Sequence, residues 1–136
     1  MGFIRVIHHR HYDRHKRRFT SPAFKNSNDN SGISVIDKDC ALRTSPGICE
    51  HIQRFYPDVA GTPPIFWEFH PEILPENCRL DPQKGPDGDD CHFNVVGLSE
   101  KEARAIIIKV PLSDFNICIG NGEYRPLTES DVESWT

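Results

Sequence analysis

The sequence predicts an α+β domain: one mostly antiparallel, twisted sheet with two short helices and long polar loops. Short apolar segments rich in β-branched and aromatic residues recur along the chain. Helical periodicity is confined to two brief stretches, too few for a doubly wound fold. Segments dense in Pro, Gly, Asn and Asp separate them. A chain of 136 residues, 37% hydrophobic and 26% charged, suits a single soluble core. The expected organisation is one domain over residues 1–127, with a basic His/Arg-rich segment at 8–18 and an acidic tail at 128–136.

Phe3 to Ile7, apolar apart from Arg5, reads as an opening strand that delivers the His/Arg run to a sheet edge or cleft. A polar loop at 26–32 follows, and then Ile33-Ser34-Val35-Ile36 alternates as a half-buried strand does. Ser45-Pro46 supplies an N-cap and a first-turn proline, with Ile48, Cys49, Ile52 and Phe55 at helical spacing, so a helix is expected over 46–55. Ile65 to Phe69, bracketed by Thr62-Pro63-Pro64 and Pro71, reads as a core strand, and 71–91 as a long surface loop. His92 to Val96 alternates again. Ser99-Glu100-Lys101-Glu102 is a capping box with Leu98 placed to staple onto Ala103, starting a helix from Glu100 to about Ile107. Phe115 to Ile119 and Glu123 to Arg125 flank Gly120-Asn121-Gly122, the composition of a hairpin turn. The tail from Thr128 is expected to fray.

No apolar run approaches the roughly 20 residues that span a bilayer, and the N-terminus lacks a signal-peptide core, so a cytoplasmic protein is expected. Gly2 does not open a myristoylation motif, because Val6 stands where Ser or Thr is needed. The five cysteines are odd in number, widely spaced and never in C-x-x-C, which points to buried thiols rather than a disulfide framework or zinc knuckle. Net charge is −4, unevenly placed. Residues 1–25 hold seven Lys and Arg against Asp13 alone, a charge of +6, which leaves −10 for the remainder. Such asymmetry suits an anionic partner, or a basic arm that docks on its own acidic chain.

The densest candidate segment runs from His8 to Arg18. If helical, it aligns His8, His11 and His15 at i, i+3 and i+7, a set able to approach a metal such as zinc; if extended, His9 and His11 point together. Asp13 and the Cys91-His92 pair are the available further ligands. The same segment suits nucleic acid, with Arg10, Arg14 and Arg17 on phosphates and Tyr12 or Phe19 stacking on bases, although a pI near 5.9 opposes this. Asp87-Gly88-Asp89-Asp90 lacks EF-hand spacing and reads as an exposed turn. His51, His70 and Trp67 fall in or beside core elements, where a structural role is the default.

Arg18-Phe19-Thr20, the strand Ile33 to Ile36, and Ser45-Pro46 followed by Glu50 stand in an order that resembles the RES family, toxins on an ADP-ribosyltransferase-like fold that consume NAD. The similarity covers about a quarter of the chain and departs from the family at the strand end, where Ile36-Asp37 replace a tyrosine. It implies that Arg18 neutralises the diphosphate of NAD and that Glu50 stabilises the cationic ribose as nicotinamide leaves. The plainer reading of Glu50 is a carboxylate at a helix N-terminus.

Two function classes follow. The principal expectation is a binding module whose basic N-terminal face meets an acidic protein or nucleic acid. The alternative is an enzyme acting on NAD or a related nucleotide, with catalytic Arg18 and Glu50 and a cleft completed by Arg10, His11 and Tyr12. An enzyme requires Arg18 and Glu50 to share one concave pocket, whereas a binding module spreads Arg10, Arg14, Arg17 and Arg18 over a convex or flat surface.

Overall fold

The computed structural model describes residues 2–24, 32–61 and 63–135. The expected loop at 26–32, apart from Gly32, lies outside the described residues, as does Thr62. Nine strands are described: β1 (Phe3–Ile7), β2 (Tyr12–Asp13), β3 (Arg18–Phe19), β4 (Ile33–Asp37), β5 (Ile65–Phe69), β6 (Arg79–Pro82), β7 (His92–Val96), β8 (Phe115–Gly120) and β9 (Glu123–Pro126). Four short helices accompany them: α1 (Lys38–Thr44), α2 (Ile48–Phe55), α3 (Glu100–Ile107) and α4 (Glu129–Glu133).

Alternation within β1 sets the architecture. Phe3 and Ile7 enter one apolar cluster and Ile4 the other, and each is no more than 2% exposed. A strand buried on both faces belongs inside a sheet that is covered twice. Accordingly β1 is the middle of a seven-stranded sheet of order β6-β7-β4-β1-β5-β8-β9, antiparallel at every pairing. One face carries Phe3, Ile7, Val35, Trp67, Phe69 and Phe115, packed with Ala23 and Phe24 of a helical turn, Phe19 of β3, and Ala103 and Ile107 of α3. The opposite face carries Ile4, Ile36, Phe66 and Cys118, covered by Ala41 of α1 and by Ile48, Cys49 and Ile52 of α2. The α+β sheet expected from the sequence is thus present. β2 and β3 form a separate two-stranded ribbon.

Four expectations need correction. The Ser45-Pro46 helix start fails because α1 occupies 38–44, capped by the Asp37 side chain, so Ser45 is the C-cap of α1 and α2 begins after Gly47. The segment 71–91 is not all surface loop: Arg79 to Pro82 pair with β7 as an edge strand, where a terminal proline is tolerated, and Asp89 and Cys91 are buried. The acidic tail does not fray through its length. Thr128 and Asp131 form a capping box on α4, Arg125 clasps Asp131 through both guanidinium nitrogens, and Trp135 packs on Tyr12 and Phe19. Finally, four cysteines are disulfide-bonded, Cys40 to Cys91 and Cys49 to Cys118, leaving Cys78 free. Wide spacing in sequence concealed this, because the antiparallel sheet brings residues 51 and 69 positions apart to Cα separations of 5.4 and 6.0 Å.

Candidate functional site

The basic segment folds as neither of the simple alternatives. His9 to His11 make one 3₁₀ turn, with the His8 ring nitrogen Nδ1 accepting from the Arg10 amide, and the chain then enters the β2–β3 hairpin. With no α-helix over 8–15, the i, i+3, i+7 histidine face does not form. His8 and His11 have ring centroids 6.5 Å apart, while His15 lies in the exposed hairpin turn. The turn is held by Asp13, whose carboxylate accepts from the amides of His15 and Lys16, and these backbone bonds draw its pKa down. Arg17 closes it at φ 56°, a conformation that glycine or asparagine adopts more readily.

Exposure sorts the candidates. Arg10, Arg14, His15, Lys16, Arg17 and Arg18 are exposed, whereas Phe19 is 1% exposed in the core and Tyr12 is half-buried against Phe19 and Trp135. The expected base-stacking role of Tyr12 and Phe19 is therefore corrected: both rings are engaged in packing. Arg17 meets Glu129 of α4 at 3.0 Å, and Arg14 donates to the Trp135 carbonyl at 3.1 Å. The basic arm does dock in part on the acidic end of its own chain.

Burial lowers the pKa of two basic groups, Arg5 and His11, with different results. Arg5 donates to the carbonyls of Ala23 and Ser34, and burial brings its pKa down to about 10, so it remains charged at neutral pH. His11 is pushed down to about 4, chiefly by burial and then by Arg10, Arg5 and His8, and its buried Nδ1 has no hydrogen-bond partner among the described residues. His8 is likewise lowered by burial, His9 and Arg10. Both shifts disfavour the charged form of His8 and His11.

Arg18 and Glu50 do not converge. Arg18 precedes Phe19, which packs on one face of the sheet, while Glu50 stands between Cys49 and Ile52 of the cluster on the opposite face. Their neighbours thus pack on opposite faces of the sheet, an arrangement that does not favour one pocket shared by the pair. Glu50 lies in the first turn of α2, its carboxylate against Gly47 and beneath Gly122 of the β8–β9 turn, where a Cβ on Gly122 would collide with it. One of its oxygens is buried without a partner among the described residues.

A second constellation was missed by sequence reasoning. The Ser45 hydroxyl bonds His51 Nδ1 at 2.9 Å, His51 Nε2 meets Asp89 Oδ1 at 3.0 Å, and the Tyr56 hydroxyl donates to Asp89 Oδ2 at 2.5 Å. Because a carboxylate only accepts, Nε2 donates to it, and in the neutral ring Nδ1 accepts from Ser45. Burial raises the Asp89 pKa, but bonds from His51, Tyr56 and the Cys91 amide outweigh it and hold the carboxyl below its ordinary value; burial, then Asp89, drives Tyr56 far upward. The connectivity is that of a nucleophilic triad. Its imidazole, however, is 1% exposed, too enclosed to reach a leaving group. His51, Asp89 and Cys91 form the one group among the described residues able to gather three metal-ligand atoms, all within 4.8 Å of one another. In the exposed acidic turn expected at 87–90, Asp87, Gly88 and Asp90 are exposed, and Asp89 alone departs from the expectation at 0% exposed. His92, the neighbour of Cys91, is turned to Ser34 and the Gln83 carbonyl. The only sequence signal was an Asp-Asp-Cys-His run with a helical His51 far upstream, and nothing local joins them.

Among the described residues no helix is long and apolar enough to cross a membrane. Compared with protein-family models, curated proteins and solved structures, the chain gives no match.

Proposed function

We propose that the protein is a binding module that engages an acidic protein segment through the β2–β3 hairpin. The observation that carries this is the consecutive exposure of Arg14, His15, Lys16, Arg17 and Arg18 on a ribbon separate from the main sheet, with Arg10 exposed beside it. With five Arg and Lys against Asp13, residues 8–18 carry +4 in a chain of net −4. A local field of that sign raises the encounter rate with an anionic partner and suppresses cationic ones. Arginine suits carboxylates because its planar fork can make two parallel bonds. The contact of Arg17 with Glu129, a carboxylate on the short acidic helix α4, supports this reading. Since Tyr12 and Phe19 are packed inward, they give no stacking platform, which favours an acidic peptide over single-stranded nucleic acid.

The test is fluorescence anisotropy with a labelled glutamate-rich peptide and a labelled RNA of equal charge, each titrated with the protein at several salt concentrations. The expected result is peptide binding that weakens steeply as salt rises and is lost when Arg14 and Arg18 are both changed to Glu. Binding of RNA without peptide would reassign the partner to nucleic acid; salt-independent binding unaffected by the double variant would remove the hairpin from the interaction.

A further inference from the structure

We infer that the buried cluster around His51 is a latent zinc site, formed by Cys40, Cys91, His51 and Asp89 when the Cys40–Cys91 disulfide is reduced. This stands independently of the hairpin's role. His51 Nε2, Asp89 Oδ1 and Cys91 Sγ are within 4.8 Å of one another, and Cys40 Sγ is bonded to Cys91 Sγ. A tetrahedral zinc with bonds of ~2.0–2.3 Å places its donor atoms roughly 3.3–3.8 Å apart. His51 Nε2 and Asp89 Oδ1, at 3.0 Å, need only move slightly apart, Cys91 Sγ lies within 4.8 Å of both, and the two sulfurs must separate, as cleavage of their bond allows. Two thiolates, one imidazole and one carboxylate are a donor set suited to zinc.

The surrounding groups favour the same conclusion. Ligating imidazoles are normally oriented by a bond to their second nitrogen, and Ser45 sits at Nδ1. In a neutral ring whose Nε2 donates to Asp89, Ser45 donates there. On metal binding the Nε2 proton must leave, the ring proton moves to Nδ1, and the same hydroxyl accepts instead, so the partner serves both tautomers. Tyr56 holds Oδ2 of Asp89, while Oδ1 lies against His51 Nε2 and the Cys91 amide, on the side of the candidate ligands. His51, Asp89 and Cys91 are 1%, 0% and 1% exposed, so a bound ion would be shielded from competing water. Cys40 is the more exposed residue of the disulfide pair.

The steps balance. A phosphine takes oxygen from water and becomes the phosphine oxide; its two electrons break the sulfur–sulfur bond and the two protons of that water give two thiols. Zinc then binds as both thiol protons pass to solvent, so uptake strengthens with pH.

The experiment strips the protein with a chelator, reduces half of it with a phosphine under anaerobic conditions, equilibrates both halves with zinc chloride, and measures bound zinc and melting temperature. Reduced protein is expected to hold about one zinc per chain and to melt higher with zinc than without, and oxidised protein to hold none. Cobalt in place of zinc should give intense tetrahedral bands with sulfur-to-metal charge transfer. Cys49→Ala/Cys118→Ala should keep the metal, whereas His51→Gln should lose it or hold it far more weakly. Should His51→Gln fail to fold, Cys40→Ala is decisive: it cannot form the disulfide and should bind zinc without reductant, more weakly than the reduced wild type. No zinc in the reduced protein, equal zinc in the oxidised protein, or retention in Cys91→Ser would overturn the inference.

Discussion

Asp89 accepts from His51, from the Cys91 amide and from Tyr56, and all of these donors lie in the interior. Removing the carboxylate strands every one of them. Asp89→Ala is therefore expected to destabilise the fold by about 3–5 kcal/mol, the range for breaking a buried polar network at its centre, while Tyr56→Phe should cost only about 1–2 kcal/mol because it removes one donor and leaves the acceptor satisfied. Urea unfolding of the two variants measures the difference, and equal losses would contradict the network. His11 makes a separate prediction. Its pKa falls from 6.5 to about 4 on folding, so between those values the unfolded chain holds a proton that the folded chain does not. Stability from this group is complete above pH 6.5 and declines as pH falls towards 4. In His11→Gln the acid-side slope of melting temperature against pH should be shallower than in the wild type.

At the scale of elements, β1, β4, β5, β7, β8, β9 and α3 were legible because alternation, turn composition and a capping box are local signals that burial reinforces, whereas β2, β3 and β6 were not read. Phe3, Ile33, Ile65 and His92 begin strands where their patterns begin, and Ser99 caps α3 as its sequence implies. α1 was not read, although Asp37 closing a strand is itself a cap signal, because Ser45-Pro46 offered a more familiar start nearby. α4 lacks the apolar stripe from which a helix is recognised, and its docking rests on long-range contacts. Closer in sequence, Arg125 pairs with Asp131 through bonds of 2.7 and 2.8 Å that draw the aspartate down to about 2. Asp131→Asn removes that pairing and the α4 cap together. It should lower stability by about 1–2 kcal/mol and speed hydrogen exchange in residues 128–135. Unchanged exchange there would show that Trp135 alone holds the segment.

At the scale of the molecule, sequence spacing says little about which side chains meet across a covered sheet. Arg18 and Glu50 follow the order of a known motif, yet the sheet lies between them; His51, Asp89 and Cys91 follow no motif, yet they touch. The two disulfides interlace in chain order, closing separations of 51 and 69 residues, and each is expected to contribute roughly 2–4 kcal/mol by limiting the unfolded chain. Reduction without metal should therefore lower the melting temperature markedly, a change that a scan with and without phosphine reads directly. An unchanged melting point would contradict the pairing of these cysteines.

The hairpin's role is tested most directly by recording amide chemical shifts of labelled protein during titration with a glutamate-rich peptide. Saturable shifts are expected in residues 10–19 and in α4, whose contact with Arg17 a competing carboxylate would displace. Shifts confined to other surfaces, or none at low salt, would contradict it.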